Sequence, residues 1–212
     1  MVGRSIAFLI ENIIKEYSNG RITILNKLKV YNCPIILCGH YALEPEIQTM
    51  ADYFIYDSNN DLLLQKDFYD FGVNSDRWSE MGSYRIINKN KFHHDYAIWL
   101  TMKNAFNLAN QLGKKYIHFL EYDNLPDEIQ YRQAFMEYIR SNDAVVYEYS
   151  KDSIKDSNPY CATYIFSIRT EIALKLISKI NSKEEFFKDK PNKWQLEKNF
   201  YQRLKEVTNS IF

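Results

Sequence analysis

Short apolar runs alternate with helical patterns along the first two thirds of the chain. Ser5–Ile10, Pro34–Cys38, Tyr53–Tyr56 and Tyr116–Leu120 are compact runs of strand length, two of them closed by Gly39-His40 and by Asp57-Ser58-Asn59-Asn60. Residues 13–30 carry apolar positions near helical spacing, interrupted at Ser18-Asn19-Gly20, and Ile47–Ala51 reads as a helical turn. The clearest helix has Asp95 as its N-cap, apolar residues at Ile98, Met102, Ala105, Ala109 and Leu112, and Gly113 as its stop. Buried-looking runs separated by helices predict an α/β fold whose central sheet is mainly parallel and flanked by helices, with those four strands as neighbours.

Beyond Leu120 the pattern predicts a helix over 127–140, a strand at Ala144–Tyr149, a polar loop at Lys151–Pro159 and a strand at Tyr160–Ile168. A helix at Glu171–Ile180, a polar link over Asn181–Lys193 and a last helix at Trp194–Val207 complete the chain. Residues 61–92 break the pattern, mixing charges with Phe68, Tyr69, Phe71, Trp78, Tyr84 and Phe92. A stretch of that length in a compact domain is either functional or hides short elements.

A length of 212 residues suits one α/β domain over 1–212, whether it stands alone or within a longer polypeptide. With 46% hydrophobic residues and no long apolar stretch, the chain can bury a core without a membrane-spanning helix. The 27 basic residues balance the 27 acidic ones, so no global field gathers nucleic acid, and any anion has to be bound locally. Cys33, Cys38 and Cys161 are an odd number without metal-site spacing, and the N-terminus shows no signal pattern, so a cytoplasmic protein is expected. Most of the 17 Tyr, 13 Phe and 3 Trp are expected in the core.

Ligands of open α/β sheets sit beyond the carboxyl ends of the strands. The polar residues placed there are Glu11, Asn12, Gly39, His40, Asp57 and, above all, Glu121 and Asp123. In extended chain, residues two apart point to one side, so Glu121 and Asp123 present two carboxylates to one space while Tyr122 faces away. Two such carboxylates suit Mg²⁺ or Mn²⁺, which keep several waters and share their remaining ligands with phosphate oxygens. The plain alternative is a pair of solvated acids in a turn; position directly after a buried strand and a long helix favours the metal.

The stretch from His94-Asp95-Tyr96-Ala97 through Gly113 into Tyr116-Ile117-His118-Phe119-Leu120-Glu121-Tyr122-Asp123 resembles the nucleotide-sugar-binding core of GT-A glycosyltransferases, in which a helix precedes a strand ending in an acidic D-x-D motif. Tyr53-Phe54-Ile55-Tyr56-Asp57 is similar to that family's third strand, and the likeness of element order covers roughly residues 5–150. The resemblance implies a Rossmann-like nucleotide-binding half and transfer of a sugar from a metal-bound UDP- or GDP-sugar to a hydroxyl acceptor such as a glycan. It implies Asp57 near the base, His94 or Asp95 near the ribose, and Asp123 as the main metal ligand. The first acidic position is Glu121 rather than Asp, which leaves open direct contact with the metal, contact through water, or contact with the sugar.

For an inverting transfer, the resemblance also implies a carboxylate base on an acidic stretch after the central strands, and Glu197 in Trp194-Gln195-Leu196-Glu197 matches that place. Asp152 and Asp156 sit in a polar loop that positions a base poorly. Each residue has a plain reading too: an Asx-turn for Asp57, a helix cap for Asp95, a satisfied core side chain for His118, packing for Trp78 and Trp194, and a dipole-favoured acid for Glu197. Lys151 and Lys155 are expected to lie in a mobile loop, which is an ordinary solvated loop in its plain reading and closes over the diphosphate in the functional one. Two other activities compete. A sugar-phosphate nucleotidyltransferase needs a Gly-rich basic loop after the first strand, where this chain has Glu11-Asn12-Ile13-Ile14. The third reading is a non-catalytic nucleotide-sugar-binding module of the same fold, against which the presence of both Glu121 and Asp123 argues.

Overall fold

The computed structural model describes residues 6–9, 25–26, 28–29, 32–39, 43, 45–57, 86–87, 92–120, 132–148, 160–186, 188 and 195–212. Three parallel strands come first, β1 (Ile6–Leu9), β2 (Ile35–Gly39) and β3 (Tyr53–Tyr56), with the short helix α1 (Pro45–Gln48) between the last two. A two-residue antiparallel pair, β4 (Ile86–Ile87) and β5 (Phe92–His93), leads into the long helix α2 (His94–Gln111). Then come β6 (Tyr116–Leu120), a π-helical turn (Arg132–Glu137) running into a 3-10 turn (Tyr138–Arg140), β7 (Ala144–Glu148) and β8 (Cys161–Arg169). Helices α3 (Thr170–Ile177), α4 (Lys183–Phe186) and α5 (Gln195–Val207) follow.

β2 is buried along its whole length because its side chains serve two cores in alternation. Ile36 and Cys38 face one layer with α2, α3 and α5, whereas Ile35 and Leu37 face another with Ile47, Phe135, Met136 and Ile139. The same alternation divides β6, with Ile117 and Phe119 on the first side and Leu120 on the second. Phe166 of β8 centres the first core, stacked on Phe119 at 4.6 Å, edge-on to Phe106 at 6.2 Å and tilted against Phe200 at 4.6 Å. Helix α2 stops where a glycine was expected, at Gly113, whose φ of 65° is the left-handed value that ends helices without a Cβ penalty.

The mainly parallel sheet needs correction. Parallel pairing covers β1, β2 and β3, whereas β6 and β7 each pair antiparallel with β8, in the order β6-β8-β7. β6 does lie alongside β1, and both groups contribute to the same two cores, but no ladder joins them among the described residues. Parallel neighbours need a crossover that carries the chain back past the sheet, usually a helix, and the polar stretch read between β7 and β8 offers no helical pattern. Other differences are local. α2 begins at His94, so Asp95 lies within its first turn rather than at its cap. The helix expected over 127–140 is π- and 3-10-helical over its described part, α1 starts two residues before Ile47, and the link before the last helix holds α4. Among the described residues no helix is long and apolar enough to cross a membrane.

Phe166→Ala would remove the ring on which Phe119, Phe106 and Phe200 converge, at a cost of about 3–5 kcal/mol. The expected Tm falls by roughly 10 °C, measured by calorimetry; a loss below about 1 kcal/mol would show that the first core does not depend on this stack.

Candidate functional site

β3 delivers Asp57, half-buried, just past its last residue. Its Oδ2 accepts a hydrogen bond of 3.1 Å from Nδ2 of Asn104 on α2. β6 delivers Leu120, buried, immediately before Glu121; Glu121 and Asp123 themselves lie outside the described residues, as do Glu11, Asn12, His40, Trp78, the loop with Lys151, Asp152, Lys155 and Asp156, and Trp194. The backbone of His94 and Asp95 forms the start of α2, and their side chains are not among those described. Because α2 returns through a four-residue connection to the first residue of β6, it runs against β6, so its first turns stand toward the carboxyl end of that strand.

The last helix arrives at the same end. At its far end, Thr208 Oγ1 donates to Asp143 Oδ2 at 2.5 Å, and Asp143 also meets Arg169 Nε at 3.3 Å. Asp143 precedes β7, and Arg169 is the register partner of Tyr116, the first residue of β6, so α5 ends at the amino end of β6. Its first turns are therefore carried toward the opposite end. There Asn199 Nδ2 donates to the Phe186 carbonyl at 2.8 Å, and the Phe186 ring meets Tyr96 at 5.4 Å and Trp99 at 6.0 Å on the first turns of α2. The fold thus gathers the start of α2 and the start of α5 around Phe186.

Glu197 sits in the first turn of α5. The residue keeps some exposure, but its Oε2 is enclosed and has no hydrogen-bond partner among the described residues. Burial pushes its carboxyl up to about 7, while a bond from its own backbone N–H and the charge of Lys198 pull it the other way. An acid kept only to complement the helix dipole would stay solvated and favour its charged form. Glu197 does the reverse, combining a desolvated carboxyl with a proton affinity near neutrality, which is the condition for exchanging a proton at pH 7.

Other groups are accounted for differently. His118 is buried, with Nδ1 2.7 Å from Ser167 Oγ across the β6–β8 ladder, a satisfied core histidine. Cys38 near the end of β2 is buried, and desolvation pushes its thiol far up, which removes it as a nucleophile. A cavity of about 490 Å³ lined by Lys29, Asn32, Cys33, Thr49 and Asp52, among others, lies at the amino ends of β2 and β3, away from this site. Among the described residues no three His, Cys, Asp or Glu side chains converge as a metal cage. The sequence pattern does not mark Asn104, which shares the row Ala97, Thr101, Asn104, Leu108 with another polar residue.

The sequence matches no family model and no curated protein. The fold has solved counterparts. It is similar to that of the bifunctional IspDF of Campylobacter jejuni, with a TM-score of 0.53 and 8% identity over 99% of this chain and 48% of that one. A glycosyltransferase involved in the glycosylation of the major capsid of PBCV-1 superposes at 0.48, with 10% identity over 98% of this chain and 80% of its own. The 4-diphosphocytidyl-2C-methyl-D-erythritol synthase of Anaerococcus prevotii superposes at 0.42, with 11% identity over 97% of each chain. The chain spans about half the length of IspDF, and at 8% identity the likeness is one of fold. It supports the coarse expectation of a mixed α/β fold.

The raised carboxyl of Glu197 has a consequence for stability. A carboxyl whose folded value exceeds its unfolded one stabilises the fold when neutral; that contribution is complete below about 4.5 and is lost as pH rises to about 7. Glu197→Gln, permanently neutral, should match the parent near pH 4 and gain on it up to pH 8. The gain has an upper limit of about 3 kcal/mol, reduced by the residue's remaining exposure. Urea melts across that range check it; a difference independent of pH would contradict the shifted carboxyl.

Proposed function

We propose that this chain is a glycosyltransferase that moves a sugar from a UDP- or GDP-sugar to an acceptor hydroxyl on a glycan or similar molecule, with inversion at the anomeric carbon. The observation that carries the proposal is Glu197: a desolvated carboxyl with its value near 7, on a helix start directed to the carboxyl end of β6. Inverting transfer needs such a group, which takes the proton of the acceptor hydroxyl as the oxygen attacks the sugar opposite the leaving diphosphate. In this reading Asp57 meets the base and His94 or Asp95 the ribose. Asp123, with Glu121, would hold Mn²⁺ or Mg²⁺; such an ion stabilises charge on a departing diphosphate.

Water exclusion around Glu197 serves the same end. With Phe186, Trp99 and Leu196 buried about the two helix starts, a carboxylate there is poorly hydrated and correspondingly basic. Its own N–H and Lys198 keep the charged form accessible at neutral pH. The nucleotidyl-transfer alternative draws only on likeness of fold, and it lacks the glycine-rich basic loop expected after β1.

Two variants separate the roles. Glu197→Gln should lower the transfer rate by about 100-fold or more while nucleotide-sugar affinity stays within about twofold, and the parent's kcat/KM should fall with acid below about pH 7. Asp123→Asn should abolish metal-dependent binding of the nucleotide sugar with the fold intact, as read by thermal shift with and without Mn²⁺. Unimpaired transfer by Glu197→Gln, a product with the donor's anomeric configuration, or formation of a sugar nucleotide from a nucleoside triphosphate and a sugar phosphate would overturn the proposal.

A further inference from the structure

The cavity at the amino ends of β2 and β3, about 490 Å³, has the volume of a small-molecule site. Lys29 and Asn32 reach it from the segment before β2, residues 33–35 from the approach to that strand, and residues 49–52 from the turn between α1 and β3. The backbone there is bonded to itself. The Asn32 N–H donates to the Lys29 carbonyl at 3.1 Å, the Met50 N–H to Ile47 at 3.1 Å, the Ala51 N–H to Gln48 at 3.2 Å and the Asp52 N–H to Ile35 at 3.0 Å, while Pro34 has no N–H to offer. Recognition of a ligand therefore falls to side chains.

Those side chains carry both signs of charge. The Ile35 N–H holds Asp52 by Oδ2 at 2.7 Å, which fixes the carboxylate and leaves Oδ1 to accept from elsewhere. The Thr49 hydroxyl is committed to the Glu46 carbonyl at 2.9 Å. The Lys29 ammonium and the Asn32 amide have no partner among the described residues. Asn32 takes a φ of 48°, a value that glycine adopts with less strain, so the turn alone does not require its amide. Pro34 and Met50 add apolar surface to the same lining. An anion alone would meet the Asp52 carboxylate, and a cation alone the Lys29 ammonium. A small molecule that carries a carboxylate, an ammonium and an aliphatic group can satisfy all of these neighbours at once.

We propose that this cavity is a second binding site, for a free amino acid with an aliphatic side chain: Lys29 and Asn32 take its carboxylate, Asp52 Oδ1 its ammonium, and Pro34 and Met50 its side chain. The site stands at the other end of the strands from Glu197 and does not depend on the transferase reading. The test is equilibrium binding to the full chain of L-leucine, of isocaproate, which is leucine without its ammonium, of isoamylamine, which is leucine without its carboxylate, and of inorganic phosphate. Backbone amide shifts of Asn32, Thr49 and Asp52 locate the ligand. Three variants accompany the parent: Lys29→Met, Asp52→Asn, whose amide oxygen can still accept from Ile35, and Asn32→Gly, which suits the positive φ.

The parent should bind leucine at least about tenfold tighter than either single-charge analogue or phosphate, with the largest shifts at those three amides. Asp52→Asn should bring leucine to within about threefold of isocaproate, Lys29→Met should bring it to within about threefold of isoamylamine, and Asn32→Gly should weaken leucine by about threefold or more. A parent that does not bind leucine, that binds either analogue or phosphate as tightly, or that shows its shifts elsewhere in the chain overturns the inference. Ligand ratios unchanged in Asp52→Asn and Lys29→Met overturn it as well. None of these results bears on sugar transfer.

Discussion

The seating of α5 across β8 and against α2 is the constraint on which the rest of the site depends. Leu196, Phe200, Tyr201 and Leu204 commit one side of the helix to the first core, where Phe200 meets Phe166 at 4.6 Å. Polar bonds then fix the helix along its length, Thr208 to Asp143 at one end and Asn199 to the Phe186 carbonyl near the other. These contacts oppose the fraying that would rehydrate its first turn. Glu197 therefore keeps a desolvated oxygen that an ordinary first-turn acid would turn to water, and the stability forgone when it ionises is retained as proton affinity.

The same packing links two helix starts that are about a hundred residues apart in sequence. Phe186 is the hinge of this arrangement: its ring fills the space beside Tyr96 and Trp99, and its carbonyl receives Asn199. Lys198, next to Glu197 in sequence, is itself buried. The lysine lowers the carboxyl's proton affinity, but less than burial raises it, and the balance falls near neutrality. At β3 the protein handles charge differently, placing an amide on the Asp57 carboxylate.

Much of this was legible in the sequence where compact runs of apolar and aromatic residues stop at polar or glycine signals. Tyr53–Tyr56 and Tyr116–Leu120 are strands with the expected bounds. α2 was legible from its apolar stripe and the positive φ that Gly113 allows. Glu197 was placed correctly in a first turn, yet its sequence context was also that of a dipole-favoured acid; burial separates the two readings, and burial is a property of the packed helix. The parallel sheet was overextended because apolar continuity marks a strand buried on both faces without giving its direction, and β8 runs against β6. Ile86–Ile87 and Phe92–His93 are too short to carry a period, and Asn104 reads as helix surface until Asp57 is brought beside it. Glu121 and Asp123, the strongest signal in the sequence, lie outside the described residues, so the metal rests on their spacing alone.

The titration of the Glu197 carboxyl itself tests the account most directly. Side-chain ¹³C resonances of glutamate-labelled protein, with Glu197→Gln to assign the signal, give its midpoint without reference to any substrate. The account predicts a midpoint of about 7, well above the ordinary 4.5. A midpoint at or below the ordinary value would show a solvated first-turn acid, and would contradict both the buried site and the proton transfer assigned to it.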